Sequence, residues 1–397
     1  MRVILSTLGP LHLLTAARFL SQRVDLSVVQ GWVPAKQNSL LIRFLSFIVG
    51  RNLSKSFQKR MVSSLSVNIS IPYPELLSNS ILKLNLFKPK RAYWAALLYG
   101  RLSRKYLVNA SILHVRSGSG MGGAIEAAKA RRMRIVVDHS IAHPAFIDQS
   151  LRGEYEKRNK RFLMGVDNPF WQGVLSDCQK ADILLVNSQF VFDTFADNGY
   201  PKEKMRIITQ GVRSEFFNLK QDYSCCGAIR ILFTGGFGFR KGAQYILEAL
   251  DILRKRGVNF EFSVFGSVEK EFHVTADDIK FFGHVPQEEL FQQLANSDVY
   301  LFPSLCEGCA SSGLEAMAAG LPIVATKESG LPIVDGVNAL IVTSKSSLEI
   351  ANAIFRFCED ESLRRSLGTS AFHTVRDSCT WSVYADKVVD LYNKLLF

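Results

Sequence analysis

The stretch Val299-Tyr-Leu-Phe-Pro-Ser-Leu-Cys-Glu307-Gly-Cys-Ala-Ser-Ser-Gly-Leu-Glu315-Ala-Met-Ala-Ala-Gly-Leu-Pro322-Ile-Val-Ala-Thr326 decides how the chain folds. Four apolar residues lead into a loop of Gly, Ser and Cys, and a short helical run follows over 313–319. Gly320-Leu-Pro322 ends that run, and 323–325 is apolar again. Strand, loop, helix and strand in this order form the unit of a parallel sheet. Two carboxylates sit in it eight residues apart, Glu307 in the loop and Glu315 in the first helical turn. Ser311, Ser312 and Gly313 offer a cap and outward-facing amide donors. The plainer reading is a solvated Glu307 and a Glu315 placed to suit the helix dipole.

The same alternation continues in both directions. Beyond the stretch, 339–342 reads as a strand, 347–359 as a helix and 381–396 as a last helix. Before it come strands at 229–234, 260–265 and 279–283, with helices at 243–255 and 287–295. Polar residues over 219–228 break the pattern and read as a linker. Strands at 2–6, 24–30, 111–115, 134–138, 183–186 and 206–208 describe a second unit. Its region 36–108 is irregular apart from helical runs at 40–48 and 93–107. The expectation is an α/β protein of two Rossmann-like domains, 1–218 and 229–378, with 379–397 as a closing helix.

A second motif is Phe233-Thr-Gly-Gly236-Phe-Gly-Phe-Arg240-Lys241-Gly242, which leaves a strand and enters a helix. Glycines allow close backbone approach. Amides, helix dipole and two cations together make an anion site suited to phosphate. An ordinary turn with solvated cations is the alternative.

With Gly283-His284-Val285 and the run from Glu315 to Thr326, these residues resemble the retaining glycosyltransferases of family 4 (glycosyl transferases group 1). That family has the GT-B fold, two Rossmann-like domains facing a central cleft. Ala181-Asp-Ile-Leu-Leu-Val-Asn-Ser-Gln-Phe190 and Ile207-Ile-Thr-Gln-Gly-Val-Arg213 resemble its last N-domain strands. The resemblance is close over about 181–397 and loose over 1–180. It implies that Arg240 and Lys241 neutralise a donor diphosphate beside Gly236 and that Glu307 faces the sugar ring. Amides around Cys309, Ala310, Ser311 and Ser312 would bind phosphate or sugar. Glu315 would hold the ribose hydroxyls, and backbone at Gly283, His284 and Val285 would meet the base. The closing helix would pack back on the first domain. Three positions depart from the pattern: Gly236 stands where Arg is usual, Arg213 where Asp is common, and no acidic residue follows the Gly330 turn.

In the first domain, Val136-Val-Asp138-His139-Ser-Ile-Ala-His143-Pro144 runs from a strand into a loop, where open α/β sheets meet their ligands. The resemblance implies a His near the reacting sugar here, His139 first and His143 second. A His that bonds or caps the loop is the plain alternative. Gly9, Gly118, Asp138 and His143 are the candidates on the acceptor side. Gly118-Ser-Gly120-Met-Gly-Gly123, with Asp138 twenty residues after Gly118, also spells the dinucleotide fingerprint. A tight strand-to-helix turn is preferred, because a nicotinamide site would leave the glutamate pair unexplained.

Composition bounds the rest. The 397 residues are 47% hydrophobic and 21% charged, with mean hydropathy +0.09, which excludes disorder as the main state. No uncharged apolar run reaches about 18 residues, and the first twenty do not read as a signal peptide. Seven cysteines, including Cys306 and Cys309, suggest neither a disulfide framework nor a zinc site. Residues 1–218 carry 31 Lys and Arg against 14 Asp and Glu, whereas 219–397 carry 17 against 22. Over 36–134, 18 basic residues face only Glu75 and Glu126, which calls for an anionic partner. Residues 40–60 mix bulky apolar groups with cations and suit a helix in a membrane interface, with 88–91 and 101–105 as further lipid contacts. No nucleic-acid recognition module is present.

The function expected is transfer of a sugar, with retention, from a UDP- or GDP-sugar to a glycan or lipid-linked acceptor in cell-surface polysaccharide or glycolipid synthesis. No Asp-x-Asp occurs, so neither a metal nor another cofactor is expected. The expected place is cytoplasmic, peripheral on the inner membrane face. A nicotinamide oxidoreductase, a GT-B nucleotide-sugar epimerase and a non-catalytic lipid or nucleic-acid binder are the alternatives.

Overall fold

The computed structural model describes residues 1–9, 12–33, 67–74, 88–162 and 164–397; the interface helix expected over 40–60 lies outside them. Among the described residues the first domain holds β1 (Arg2–Thr7), β2 (Asp25–Gln30), β3 (Val67–Ser70), β4 (Ile112–Arg116), β5 (Arg134–His139), β6 (Ile183–Val186) and β7 (Met205–Ile207). They pair in parallel in the order β3-β2-β1-β4-β5-β6-β7. Its helices are α1 (His12–Leu20), α2 (Lys88–Ser103), α3 (Ala124–Ala130), α4 (Pro144–Glu156), α5 (Pro169–Gln179) and α6 (Gln189–Ala196). The second domain holds β8 (Ile229–Thr234), β9 (Phe260–Phe265), β10 (Ile279–Gly283), β11 (Val299–Phe302), β12 (Ile323–Ala325) and β13 (Leu340–Ile341) in the parallel order β10-β9-β8-β11-β12-β13. Around them lie α7 (Ala243–Lys255), α8 (Gln287–Asn296), α9 (Ser311–Ala319), α10 (Ser347–Glu359) and α11 (Glu361–Ser378), and a last helix, α12 (Trp381–Leu396), follows. Strands covered on both faces are apolar throughout, as β6 and β11 are.

Strands expected from apolar runs are all present, shifted by a residue or two at their ends. Strand β3, in a region read as irregular, and helices α4, α5, α6 and α11 were not expected. In α4 and α5 a Pro at the first turn and side-chain caps from His143 and Asn168 set the start, where apolar periodicity gave no signal. Residues 219–228 have no regular structure, yet they are pinned to the second domain. The Lys220 amide donates to Ala319 O at 2.8 Å, and the Tyr223 hydroxyl to Gly320 O at 2.7 Å. The chain crosses between domains earlier, where Val212 bridges Thr380. Gly211 passes so close that a Cβ there would lie 2.4 Å from the Trp381 amide nitrogen. The outward and return crossings therefore run side by side.

Helix α12 returns to the first domain. Trp381, Tyr384, Ala385, Val388 and Tyr392 complete one core with Leu13, Leu14, Ala17 and Leu20 of α1 and Val28 of β2. A buried polar group fixes this contact. Asp138 lies 3.1 Å from His12 Nε2, 3.0 Å from Arg116 Nη1 and 3.5 Å from the Tyr384 hydroxyl, and His114 Nδ1 bonds the Tyr392 hydroxyl at 2.5 Å. The acceptor-side candidate Asp138 is thus committed to α1 and α12. Burial alone would raise its pKa, but His12, His114 and Arg116 hold it well below the usual carboxylate value of 3.8.

A depressed folded pKa gives stability that is present above the unfolded value and lost as pH falls through the folded one. Asp138→Ala leaves Arg116 without its carboxylate and should cost about 3–5 kcal/mol at pH 7 in urea unfolding. The difference from wild type should shrink below about pH 4. A constant difference from pH 7 to pH 3 would show that the charge of Asp138 is not what matters.

Candidate functional site

Parallel strands end on one edge of their sheet, and that edge is where ligands meet an open α/β domain. Here the two edges face each other and touch. The Ser188 hydroxyl donates to Gly308 O at 2.5 Å, Gln210 Nε2 to Cys309 O at 3.2 Å and to Ser311 Oγ at 2.6 Å. A Cβ on Gly308 would lie 2.0 Å from Ser140 O, so backbone meets backbone where no side chain fits. To one side, the buried Glu154 of α4 accepts from the Tyr245 hydroxyl at 2.9 Å and lies 3.2 Å from Lys345 Nζ.

The glycine turn after β8 is tied to its neighbours. Gly235 donates to Phe265 O and Phe237 to Ser267 O, each at 2.8 Å, and Gly266 donates to Gly283 O at 2.7 Å. Gly242 has φ +75°, and a Cβ there would meet Pro303 O at 2.3 Å; this brings the start of α7 against the end of β11. The consequence is a convergence of charge. Arg240 ion-pairs Glu307 and donates to Cys306 O at 3.1 Å, while Lys241 Nζ lies 2.5 Å from Glu307 Oε1. Lys241 also sits 4.1 Å from the Phe302 ring centroid. Burial lowers its pKa to about 8, although Glu307 opposes the shift. Residues from two motifs read separately in the sequence therefore form one ion-paired group.

Helix α9 starts at Ser311, two residues earlier than expected, behind Ala310, and no side chain caps it. The expected serine cap fails because Ser311 and Ser312 lie inside the first turn. Amides of Gly308, Cys309, Ser311, Ser312 and Gly313 donate to no group among the described residues. Burial raises Glu315, one turn on, to about 7, and Arg213 partly opposes this. Cys309 and Ala310 are buried; their side chains belong to the core. Gly236 is exposed, Gly283 has φ +67° with open space around its Cα, His284 is exposed and Val285 half-buried. All four lie at the same sheet edge.

On the facing edge His139 is buried and its Nδ1 lies 2.8 Å from Ser117 Oγ. Burial, then the Arg116 charge, pushes it down to about 3, so the ring is neutral at ordinary pH. Its Nε2 has no partner among the described residues. His143 instead caps α4, with Nδ1 accepting from the Ala145 amide at 3.2 Å, so this candidate takes the loop-capping role. Gly9 stands in open space beside the Thr7 hydroxyl, which donates to its carbonyl at 2.9 Å. At the fingerprint, Gly118 and Gly120 donate to Asp177 at 2.8 and 2.9 Å. The chain's own carboxylate fills the cradle a pyrophosphate would need. Beyond these, Gly122 serves packing against α2: a Cβ on it would meet Leu97 O at 2.2 Å, and one on Gly100 of α2 would meet Met121 O at 1.6 Å. Ser117 and Asp177 carried no signal in the sequence, whereas Ser188 and Gln210 stand inside runs quoted above. No cluster of three or more His, Cys, Asp and Glu side chains that could hold a metal ion occurs among the described residues.

The family model for glycosyl transferases group 1 matches residues 228–360. The chain is 31% identical over 179 residues to the amylovoran biosynthesis glycosyltransferase AmsK of Erwinia amylovora, covering 41% of this chain and 44% of that one. It is 24% identical over 210 residues to the capsular polysaccharide biosynthesis glycosyltransferase CapM of Staphylococcus aureus, covering 51% and 54%. The chain thus spans about half the length of these curated relatives. Among solved structures, Anabaena Alr3699/HepE in complex with UDP and glucose superposes with TM-score 0.65 at 14% identity over 99% of both chains. Sucrose-phosphate synthase from Thermosynechococcus elongatus superposes with TM-score 0.69 at 16% identity over 100% and 99%.

The lowered pKa of Lys241 has a consequence for any diphosphate that binds there. Above about pH 8 the free protein must take up a proton to present the charged amine. UDP affinity, measured by calorimetry, should then fall by up to about tenfold per pH unit. Lys241→Arg should flatten the profile to pH 10. A flat wild-type profile would separate Lys241 from the anion.

Proposed function

We propose, for a chain of GT-B fold whose residues 228–360 belong to the glycosyl transferases group 1 family, that it moves a sugar from a nucleotide diphosphate donor to a glycan or lipid-linked acceptor, with retention, in surface polysaccharide or glycolipid synthesis. One observation carries this reading: Arg240 and Lys241 converge on Glu307 beside the unbonded amides that open α9. Two cations and a helix start are the donor set that stabilises a departing diphosphate without a metal. Glu307 then lies at the sugar and Glu315, on the next turn, at the ribose. His139 faces them as a neutral group. Among the described residues, Asp138 at the facing edge is engaged by His12 and Arg116 and no other carboxylate there offers itself as a nucleophile, so the leaving phosphate would guide the acceptor to the same face. The names of AmsK and CapM, and the UDP in the Anabaena protein, support the substrate class.

The test is a thermal-shift panel of UDP- and GDP-sugars followed by product analysis in a chelator. Stabilisation by one nucleotide class and unchanged turnover with chelator are expected; activity lost in chelator and restored by Mg²⁺ or Mn²⁺ would overturn the metal-free part. Glu315→Ala should weaken nucleotide binding by about 1.5–3 kcal/mol. Glu307→Gln should bind UDP at least as tightly as wild type, since it no longer competes for the cations, while transfer is lost.

A peripheral seat on an anionic membrane belongs to the same proposal. No helix among the described residues is long and apolar enough to cross a membrane. Helix α2 and the turn after it carry Arg91, Trp94, Leu98, Arg101 and Lys105 at helical spacing, and no acid occurs from 76 to 125. Trp94 is 59% exposed. Each such cation near an anionic leaflet contributes about 1 kcal/mol. Sedimentation with phosphatidylglycerol vesicles but not phosphatidylcholine vesicles is expected, and Trp94→Ala with Arg101→Glu should reduce it at least several-fold. Equal recovery with both lipids, or binding to DNA instead, would remove the membrane assignment.

A further inference from the structure

His139 ends β5 at the junction of the domains, and only one of its ring nitrogens is accounted for. Ser117 Oγ lies 2.8 Å from Nδ1, while the buried Nε2 makes no hydrogen bond among the described residues, although the Ile141 backbone lies near the ring. The Ser117 hydroxyl has no other acceptor among them. Donation to Nδ1 therefore satisfies both groups and leaves the ring proton on Nε2.

Ser117 is itself held in place. Its amide donates to Asp138 O at 2.9 Å, and the two amides just beyond it, of Gly118 and Gly120, donate to one oxygen of Asp177. Asp177 comes from α5, is 1% exposed and has no ion-pair partner among the described residues. Its second oxygen has no hydrogen-bond partner among the described residues. Burying a carboxylate this way is costly. What it secures is the conformation of the turn that carries Ser117.

We propose that Ser117, with Asp177 behind it, is a positioning residue for His139: it fixes the Nε2–H tautomer, so that a neutral N–H donor faces an oxygen of the bound sugar. The sugar rests on the glycosyl-transfer reading above; the tautomer does not. Asp177 acts only through the turn, and Ser117 only through the ring.

The two parts are tested separately. Long-range ¹H–¹⁵N spectra of the full chain labelled in histidine, assigned by the signal lost in His139→Gln, should show the Nε2–H tautomer. Ser117→Ala should give mixed tautomers, Ser117→Thr should restore the wild-type pattern, and Asp177→Asn should fall between. In the transfer assay Ser117→Ala should lower kcat about tenfold, the range for one hydrogen bond, with UDP affinity unchanged. An Nδ1–H tautomer in the wild type, or an unchanged spectrum in Ser117→Ala, would overturn the inference. Should Ser117→Ala fail to fold, the Asp177→Asn spectrum decides in the same way. The expected spectra with no sugar transfer by any variant, wild type included, would leave the positioning intact and count against the transferase reading.

Discussion

The Glu307 carboxylate stands within ion-pair distance of both Arg240 and Lys241, and the carboxy-terminal domain is arranged around that meeting. The cations lie at the end of one parallel strand and the carboxylate beyond the end of its neighbour, so strand order sets their distance. Gly242 permits the close pass between α7 and β11, and the Glu307 amide is held by Glu328 O at 2.9 Å. An ion pair as buried as Lys241–Glu307 contributes little net stability, because desolvation offsets most of the attraction. Removing one partner is costly all the same. The group therefore reads as a poised site, whose parts would be expensive to keep together for stability alone.

Two glycine-rich turns in this chain look alike as strings and do opposite things. The turn at 235–242 keeps Gly236 exposed and sends its cations into the junction. The turn at 118–123 is closed, because Asp177 takes its amides and Leu97 and Arg101 of α2 press on Gly122. Spacing within a motif reports how the backbone bends. It does not report what fills the bend, and here the filler lies 59 residues from Gly118.

The same distinction explains how far sequence reasoning reached. Parallel strands buried on both faces appear as short apolar runs, so both sheets were legible except for the edge strand β3, which lies in a region read as irregular. Helix α11 was not, since it is largely polar and lies on the outside. Residues at strand ends were legible as candidates, because topology alone brings them to one edge. Which of them bind each other was not: side-chain direction separates Asp138, turned to His12 and Tyr384, from the adjacent His139, turned to Ser117 and Phe195. The capping role of His143 did carry a signal, in the Pro144 that follows it.

The packing of α12 against α1 bears on how this protein is made. A ribosome adds about 5–20 residues per second, and domains generally fold in the order they emerge. One of the two layers of the first domain cannot close in that order. Leu13, Leu14, Ala17 and Leu20 await Trp381, Tyr384 and Val388, which are synthesised after the entire second domain. For something like ten to forty seconds a nascent chain would display this apolar face with its covering helix still unmade. Chaperones that hold nascent chains would find their binding surface there. A truncation that spares every residue of the cleft but removes α12 would be expected to aggregate during translation.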